Sequence, residues 1–356
     1  MDRFLVMRGG ALGDFILGLP ALRRIHEACP WALVDLIAPA DFLPLAAGVV
    51  NGTMPLEESF IASLFLEDAR FPEEISQRYR DLDAVVIWFT DTQGTVRQNF
   101  RRLGAKKIVW APSKPPHTPG LHASDHLLAS LTGLGIGVAP STPSLQGVEP
   151  SARPLPQLQP IIGLSPLAHE TAGNKWRDLG LESTAPVVAM HPGSGTNWKR
   201  WGSDHFAQLS DRLVSEGVQV VLIEGPADYH AVRQVMARAE KEHPKLLSGM
   251  DVESLGAFLI RCAAYVGNDS GVSHLAAGVG AATIAIFGPT DPSVWAPRGP
   301  RVSVVRSHRD CAPCWKDVSP DCDHRLCLEA VGVEQVMNVL RQLLDRARVA
   351  LPAPSF

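Results

Sequence analysis

The feature that most limits what this chain can fold into is an alternation of short, unbroken apolar runs with helical patterns. It occurs twice and is interrupted once by a proline-rich stretch. In the first run, Phe4-Leu5-Val6-Met7, Leu33 to Ala38, Ala84 to Phe89 and Lys107-Ile108-Val109-Trp110 read as strands. Helical patterns lie between them, one ending near Cys29, one over Thr95 to Leu103 and one over His122 to Leu134. A strand that is apolar on both faces must be covered on both faces, which a parallel sheet with crossover helices achieves. Seven prolines then fall between Pro140 and Pro166, where regular structure is hard to sustain. The stretch from about 139 to 186 reads as an extended connection with room for one short strand. The alternation restarts with Val187 to His191, Gln219 to Ile223, Ala264 to Gly267 and Ala282 to Phe287. Between these, a helix from about Ser203 to Ser215 places Phe206, Leu209 and Leu213 on one face, and Gly217 suits its end. Further helices run through Val232, Val235 and Met236, and through Leu255, Phe258 and Leu259. An amphipathic helix runs from Val333 to about Arg348.

The expected organisation is two Rossmann-like lobes, 1–165 and 180–332, with a terminal helical segment over 333–356. Parallel sheets of this kind bind ligands at the carboxyl ends of their strands, so a central cleft between the lobes is the expected binding region. Composition narrows the function. With 46% hydrophobic and 20% charged residues, 356 residues can bury two cores. A net charge of −4 gives no basic stripe of the kind nucleic acids require. The longest apolar stretch, Phe258 to Gly288, is broken by Arg261, Asp269 and His274, so a membrane-spanning helix is not expected. Arg8 and Asp14 interrupt the first apolar run, so it does not read as a secretory signal. The expected location is the cytoplasm, with contact at the inner face of a membrane left open.

Three strand-to-helix turns carry candidate chemistry. The first is Gly267-Asn268-Asp269-Ser270-Gly271, followed by a helix that carries His274. The first N–H groups of a helix lack partners and bear the positive end of its dipole, which suits a phosphate. The plainer alternative is that Asp269 or Ser270 caps the helix and His274 fills a surface. The second is His191-Pro192-Gly193-Ser194-Gly195-Thr196-Asn197-Trp198-Lys199-Arg200-Trp201. Ser194, Thr196 and backbone N–H groups can face phosphate oxygens, and Lys199 or Arg200 can neutralise them. Its glycine spacing is not that of a Walker A loop. The alternative is a surface loop whose tryptophans pack between helix and sheet. The third is Gly9-Gly10-Ala11-Leu12-Gly13-Asp14, where Asp14 is either a general base for an acceptor hydroxyl or an N-terminal cap.

Cys311, Cys314, Cys322 and Cys327 cluster with His308 and His324 nearby. Their spacing leaves open a structural zinc site, disulfides and reduced thiols. Cys29 and Cys262 read as core residues. Two Asp-x-Asp triplets occur. Asp81-Leu82-Asp83 reads as a turn opening the next strand, and Asp321-Cys322-Asp323 lies within the cysteine cluster. No metal is assigned to either.

Together these motifs resemble glycosyltransferase family 9, which holds the ADP-heptose:lipopolysaccharide heptosyltransferases. The residues concerned are Leu12-Gly13-Asp14 with Leu19-Pro20-Ala21-Leu22, His191-Pro192-Gly193, Gly267 to Gly271 with His274-Leu275-Ala276-Ala277, and Phe287 to Pro292. The resemblance implies the GT-B architecture, with acceptor on the first lobe, nucleotide sugar on the second and the last helix returning to the first. It implies inverting transfer of a heptosyl group from ADP-heptose to a lipid-linked saccharide, the lipopolysaccharide inner core, without a cofactor or an essential metal. Another donor sugar, or an epimerase or hydrolase on the same scaffold, is the alternative. By the same resemblance Asp14 is the base. Lys199, Ser194, Thr196, Asp228, Asp269, Ser270, Gly271 and His274 meet the nucleotide sugar. Arg8, Gln93, Arg97 and Arg101 lie on the acceptor side.

Overall fold

The computed structural model describes residues 3–116, 120–137, 160–182, 184–314, 322 and 324–350, with side chains through 345. The chain divides into two compact units, Met1–Ser144 and Leu145–Phe356. The first holds a five-stranded parallel sheet: β1 (Arg3–Arg8), β2 (Leu33–Ala38), β3 (Gly52–Pro55), β4 (Ala84–Trp88) and β5 (Lys107–Trp110). Their order is β3-β2-β1-β4-β5. The second holds six parallel strands: β6 (Val187–His191), β7 (Gln219–Glu224), β8 (Lys245–Ser248), β9 (Ala264–Asn268), β10 (Thr283–Phe287) and β11 (Val302–Arg306). Their order is β11-β10-β9-β6-β7-β8.

Strand order reverses between β1 and β4 in the first sheet and between β6 and β9 in the second. Beyond the carboxyl ends of such a strand pair the crossover helices diverge to opposite faces and leave a crevice. Arg8 pairs with Trp88 in one register and His191 with Gly267 in the other. All three candidate turns therefore emerge at a switch point, because they follow β1, β6 and β9. Central strands are fully buried: β4, β6, β9 and β10 expose no residue, matching their unbroken apolar sequence.

Three expectations change. The proline-rich connection is not extended throughout its described part, because a helix spans Pro166–Asp178. Pro166 sits at its first position, where a missing N–H costs nothing, and the Ser165 hydroxyl accepts from Ala168 N–H at 3.2 Å. Ala168 and Ala172 are buried, and Trp176 packs on Phe258. Residues 138–159 lie outside the described part. Second, the His122 to Leu134 pattern is an α-helix only over Ala123–Ser130 and tightens to a 3₁₀ turn over Leu131–Leu134. Third, Cys29 ends the first helix half-exposed, whereas Cys262 is buried as expected.

The final helix, Val333–Ala350, packs within the second unit over its described side chains. Val336, Met337, Leu340 and Leu344 join Val188, Val266, Ile284 and Ile286 in one core under the second sheet. Arg341 ties the helix to Glu216 at 2.7 Å. A helix with one apolar stripe goes where that stripe is buried. Among the described residues no helix is long and apolar enough to cross a membrane.

Leu340→Ala should lower stability by about 2–5 kcal/mol through the cavity it leaves. Hydrogen exchange should then rise in β9 and β10 but not in β1 or β4; the reverse pattern would place the helix on the other sheet.

Candidate active site

In the first unit the chain leaves β1 through Gly9 and Gly10, and the helix Leu12–Ala28 begins two residues later. Gly10 has φ +104°, and a Cβ there would meet the Asp14 carboxylate at 2.9 Å. Only glycine fits under that side chain. The Asp14 Oδ2 accepts the Ala11 N–H at 3.1 Å, so it does serve the helix start. Its side chain nevertheless stays one-third exposed, 33%, and Oδ1 is 3.9 Å from Arg8. A carboxylate held at one oxygen and open to solvent at the carboxyl end of β1 can take a proton from a bound hydroxyl.

Arg8 lies beneath it, 1% exposed. Nε donates to the Asp14 carbonyl at 2.9 Å and Nη1 to the Trp88 carbonyl at 2.9 Å. Burial lowers the Arg8 guanidinium to about 10, against the opposing pull of Asp14. It thus bridges the ends of β1 and β4 and holds the backbone at Asp14. Arg97 is likewise committed. Its Nε meets Asp91 Oδ2 at 2.9 Å, Nη2 meets the Asp91 carbonyl at 2.8 Å, and the guanidinium lies 4.5 Å over the Trp110 ring. Buried Asp91 also accepts the Val96 N–H and so starts the helix Thr95–Arg102. Its only sequence signal is an Asp just before a helical pattern. Gln93 and Arg101 are exposed at this helix.

In the second unit, fully buried Asn268 joins two loops. Its Oδ1 accepts the Trp201 N–H at 2.8 Å, and its Nδ2 donates to the Pro192 and Gly193 carbonyls, each at 3.0 Å. Trp201 is itself buried, and its indole donates to the Val331 carbonyl at 2.8 Å. The loop from β6 is thereby clamped against the turn from β9. Buried Asp269 then orients the loop's cation: Oδ2 accepts from Lys199 Nζ at 3.0 Å and from Thr290 Oγ1 at 2.8 Å. Ser194 Oγ donates to the Asp269 carbonyl at 3.2 Å. Thr196 Oγ1 and Arg200 Nε are buried in this loop without a protein hydrogen-bond partner. The helix Gly271–Gly278 starts beside them, with no side-chain cap from Ser270. Gly271 and Val272 are half-exposed, while Ser270 and His274 are buried. An uncapped helix start next to an oriented lysine has the charge and donors that suit a phosphate.

Asp228 belongs to the same cluster by a route the sequence does not reveal. It is buried, accepts His191 Nε2 at 2.9 Å and accepts the Gly225 N–H at 3.2 Å. Burial would raise its carboxyl, but the hydrogen bonds from His191 and Gly225, with the charge of Arg200, outweigh it and leave it below the usual range. Gly193 is required beside it, because a Cβ there would overlap the Asp228 carboxylate.

The cysteine region adjoins this cluster: the Cys314 N–H donates to the Pro289 carbonyl at 2.9 Å and Arg325 Nη1 to the Asn197 carbonyl at 3.2 Å. Cys311 and Cys314 are exposed, Cys322 half-exposed and Cys327 buried, all as free thiols. Among the described residues no three His, Cys, Asp or Glu side chains are arranged to hold a metal. Asp321 and Asp323 lie outside the described residues. Asp81 turns the chain with φ +62°, and Asp83 accepts from Lys106 at 2.9 Å, as a strand-opening turn.

The family model for glycosyltransferase family 9 (heptosyltransferase) matches residues 106–322. The lipopolysaccharide heptosyltransferase 2 of Salmonella typhimurium is 31% identical over 329 residues, 85% of this chain and 88% of its own. The Escherichia coli enzyme of that name is 30% identical over the same shares. Among solved structures, a family 9 glycosyl transferase from Veillonella parvula superposes with a TM-score of 0.76 at 19% identity, over 97% of this chain and 98% of that one. The E. coli ADP-heptose heptosyltransferase II gives a TM-score of 0.73 at 21% identity, over 98% and 100%.

Asn268→Ala would leave one N–H and two carbonyls unpaired at the clamp, a cost of about 3 kcal/mol or more at ~1–3 per buried group. Denaturant unfolding should show that loss, and limited proteolysis should open the chain first between His191 and Trp201. An unchanged cleavage pattern would mean that the loop is held elsewhere.

Proposed function

From its membership of glycosyltransferase family 9, a family of GT-B glycosyltransferases, we propose that this chain moves a heptosyl group from ADP-heptose to a hydroxyl of the lipopolysaccharide inner core with inversion at the transferred carbon. The observation that carries this reading is the clamp on Asn268, which sets Lys199 beside the uncapped start of the Gly271–Gly278 helix.

Inverting displacement makes two demands. The bond from the sugar to the diphosphate breaks with negative charge building on the departing oxygens. Lys199, the N–H groups at Gly271 and Val272, and His274 meet that charge where it forms, with Ser194, Thr196 and Ser270 as further hydrogen-bonding groups. Asp269 acts through Lys199, and Asp228 acts through His191. The incoming hydroxyl must also lose its proton, and Asp14 accepts it. Arg8 and Gly10 hold that carboxylate in place. Gln93 and Arg101 are the exposed groups of the first unit assigned to the acceptor; Arg97 acts by shaping the start of its helix. Every step is met by these side chains and backbone groups, and none is routed through a metal. Because the acceptor is lipid-linked, the reaction takes place at the cytoplasmic face of the inner membrane.

With purified protein, ADP release from ADP-heptose should require the acceptor. Asp14→Asn should lower transfer by about 10²–10⁴-fold while ADP affinity stays within about threefold. Acceptor-independent release of free heptose would replace this reading with a hydrolase. Full activity in Asp14→Asn would remove Asp14 from the chemistry.

A further inference from the structure

The His191 ring sits between two groups that fix its proton. Nε2 is 2.9 Å from Asp228 Oδ2, and Nδ1 is 3.3 Å from Ser270 Oγ. All three residues are buried. The donors and acceptors of this cluster can be counted. An ionised Asp228 only accepts, so the proton on His191 is at Nε2. Nδ1 of a neutral ring is then an acceptor, and the hydrogen it receives must come from the Ser270 hydroxyl. Ser273 cannot supply another, because its own hydroxyl donates to the Asn268 carbonyl at 2.5 Å; its Oγ, 3.4 Å from Ser270 Oγ, is a second acceptor within reach of the Ser270 hydrogen. Tyr265 donates to Ser273 at 3.1 Å, and burial raises its phenol further, so it stays a neutral donor. With His191 neutral, Ser270 therefore shows only lone pairs to the start of the Gly271–Gly278 helix.

A diphosphate oxygen is also only an acceptor, so in this state it and Ser270 repel. Adding a proton at Nδ1 reverses the bond. The ring then donates to Ser270, and the Ser270 hydrogen is released towards the ligand. We propose that His191 is a positioning residue that takes up a proton from solvent when a nucleoside diphosphate binds, converting Ser270 into a phosphate donor. This deepens, and rests on, the assignment of the diphosphate to the second unit. The proton moves from solvent to Nδ1, the Ser270 hydrogen turns to a phosphate oxygen, and no covalent bond to the ligand changes. The charged and titratable groups about the ring come from each neighbouring element: Asp228 before the helix Tyr229–Arg238, Arg200 on its own loop, and Tyr265, Ser270 and Ser273 from β9 and the helix after it. Asp269 and Lys199 neutralise each other nearby.

The test uses the full-length protein and ADP, between pH 7.5 and 9. This range lies above the second ionisation of a terminal phosphate, ~6, so the charge of the ligand stays constant across it. Calorimetric titrations in buffers of different ionisation enthalpy should give net uptake approaching one proton per ADP, and affinity should fall by about tenfold per pH unit once uptake is complete. Both His191→Gln and Ser270→Ala should abolish the uptake and flatten the pH profile; Ser270→Ala removes one oxygen and keeps the fold if His191→Gln does not. Asp228→Asn should shift the profile to lower pH, a change that a purely structural role would not produce. ADP binding with no proton uptake in the wild type, or with the same uptake in Ser270→Ala, overturns the relay and leaves the diphosphate assignment standing. No ADP binding at all overturns both.

Discussion

One buried amide organises the second unit. Asn268 has no side-chain exposure and spends both of its polar atoms on the loop that follows β6. A loop over a sheet end has backbone groups that neither strand nor helix satisfies, and leaving them dry costs about 1–3 kcal/mol each. Asn268 satisfies three at once from the end of the neighbouring strand. Lys199, Ser194 and Trp201 inherit their positions from that clamp. Asp269 and Ser270, the two residues that follow Asn268, reach the same loop through Lys199, Ser194 and His191.

The first unit solves the same problem with a different residue. Arg8 ends its central strand and reaches the carbonyls of Trp88 and Asp14. Each reversal of strand order therefore carries a buried polar side chain that ties the two divergent chains together. The buried side chain fixes geometry, and a partly exposed neighbour, Asp14 or Lys199, keeps its charged group open to solvent. Burial explains the division of labour: the charge of Arg8 is masked by packing and hydrogen bonds, and Asn268 has none to mask.

Several site residues were legible from spacing and others were not. Asp14, Lys199 and Gly271 sit in strand-to-helix turns, so the alternation of apolar runs and helices places them at sheet ends. Asn268 and Thr290 lie in or next to recognised motifs, but their roles depend on partners 21 to 76 positions away. Asp91 has the signature of any helix-starting aspartate. The strands absent from the sequence reading were β3, β8 and β11, and each is an edge strand. An edge strand has one neighbour and needs no unbroken apolar run, so Gly52–Pro55 and Lys245–Ser248 look like loop sequence. The helix at Pro166 was hidden by the prolines before it, because proline marks a helix start as readily as a break.

The linear order of residues was enough to determine two parallel α/β lobes, the buried central strands and the turns that carry the phosphate-facing groups. These depend on local periodicity and on the rule that a strand apolar on both faces must be covered on both. Which polar residues act and which merely hold was decided by tertiary structure. Arg8 and Arg97 read in sequence as cations of the acceptor side, and the fold shows donors of both engaged by the carbonyls of Trp88, Asp14 and Asp91. Asp228 reads in sequence as a residue near the nucleotide, and the fold shows it accepting from His191. The final helix goes to whichever sheet offers its apolar stripe a core. Hydrogen-bond capacity and buried area are shared across the whole chain, so no window of sequence contains the answer.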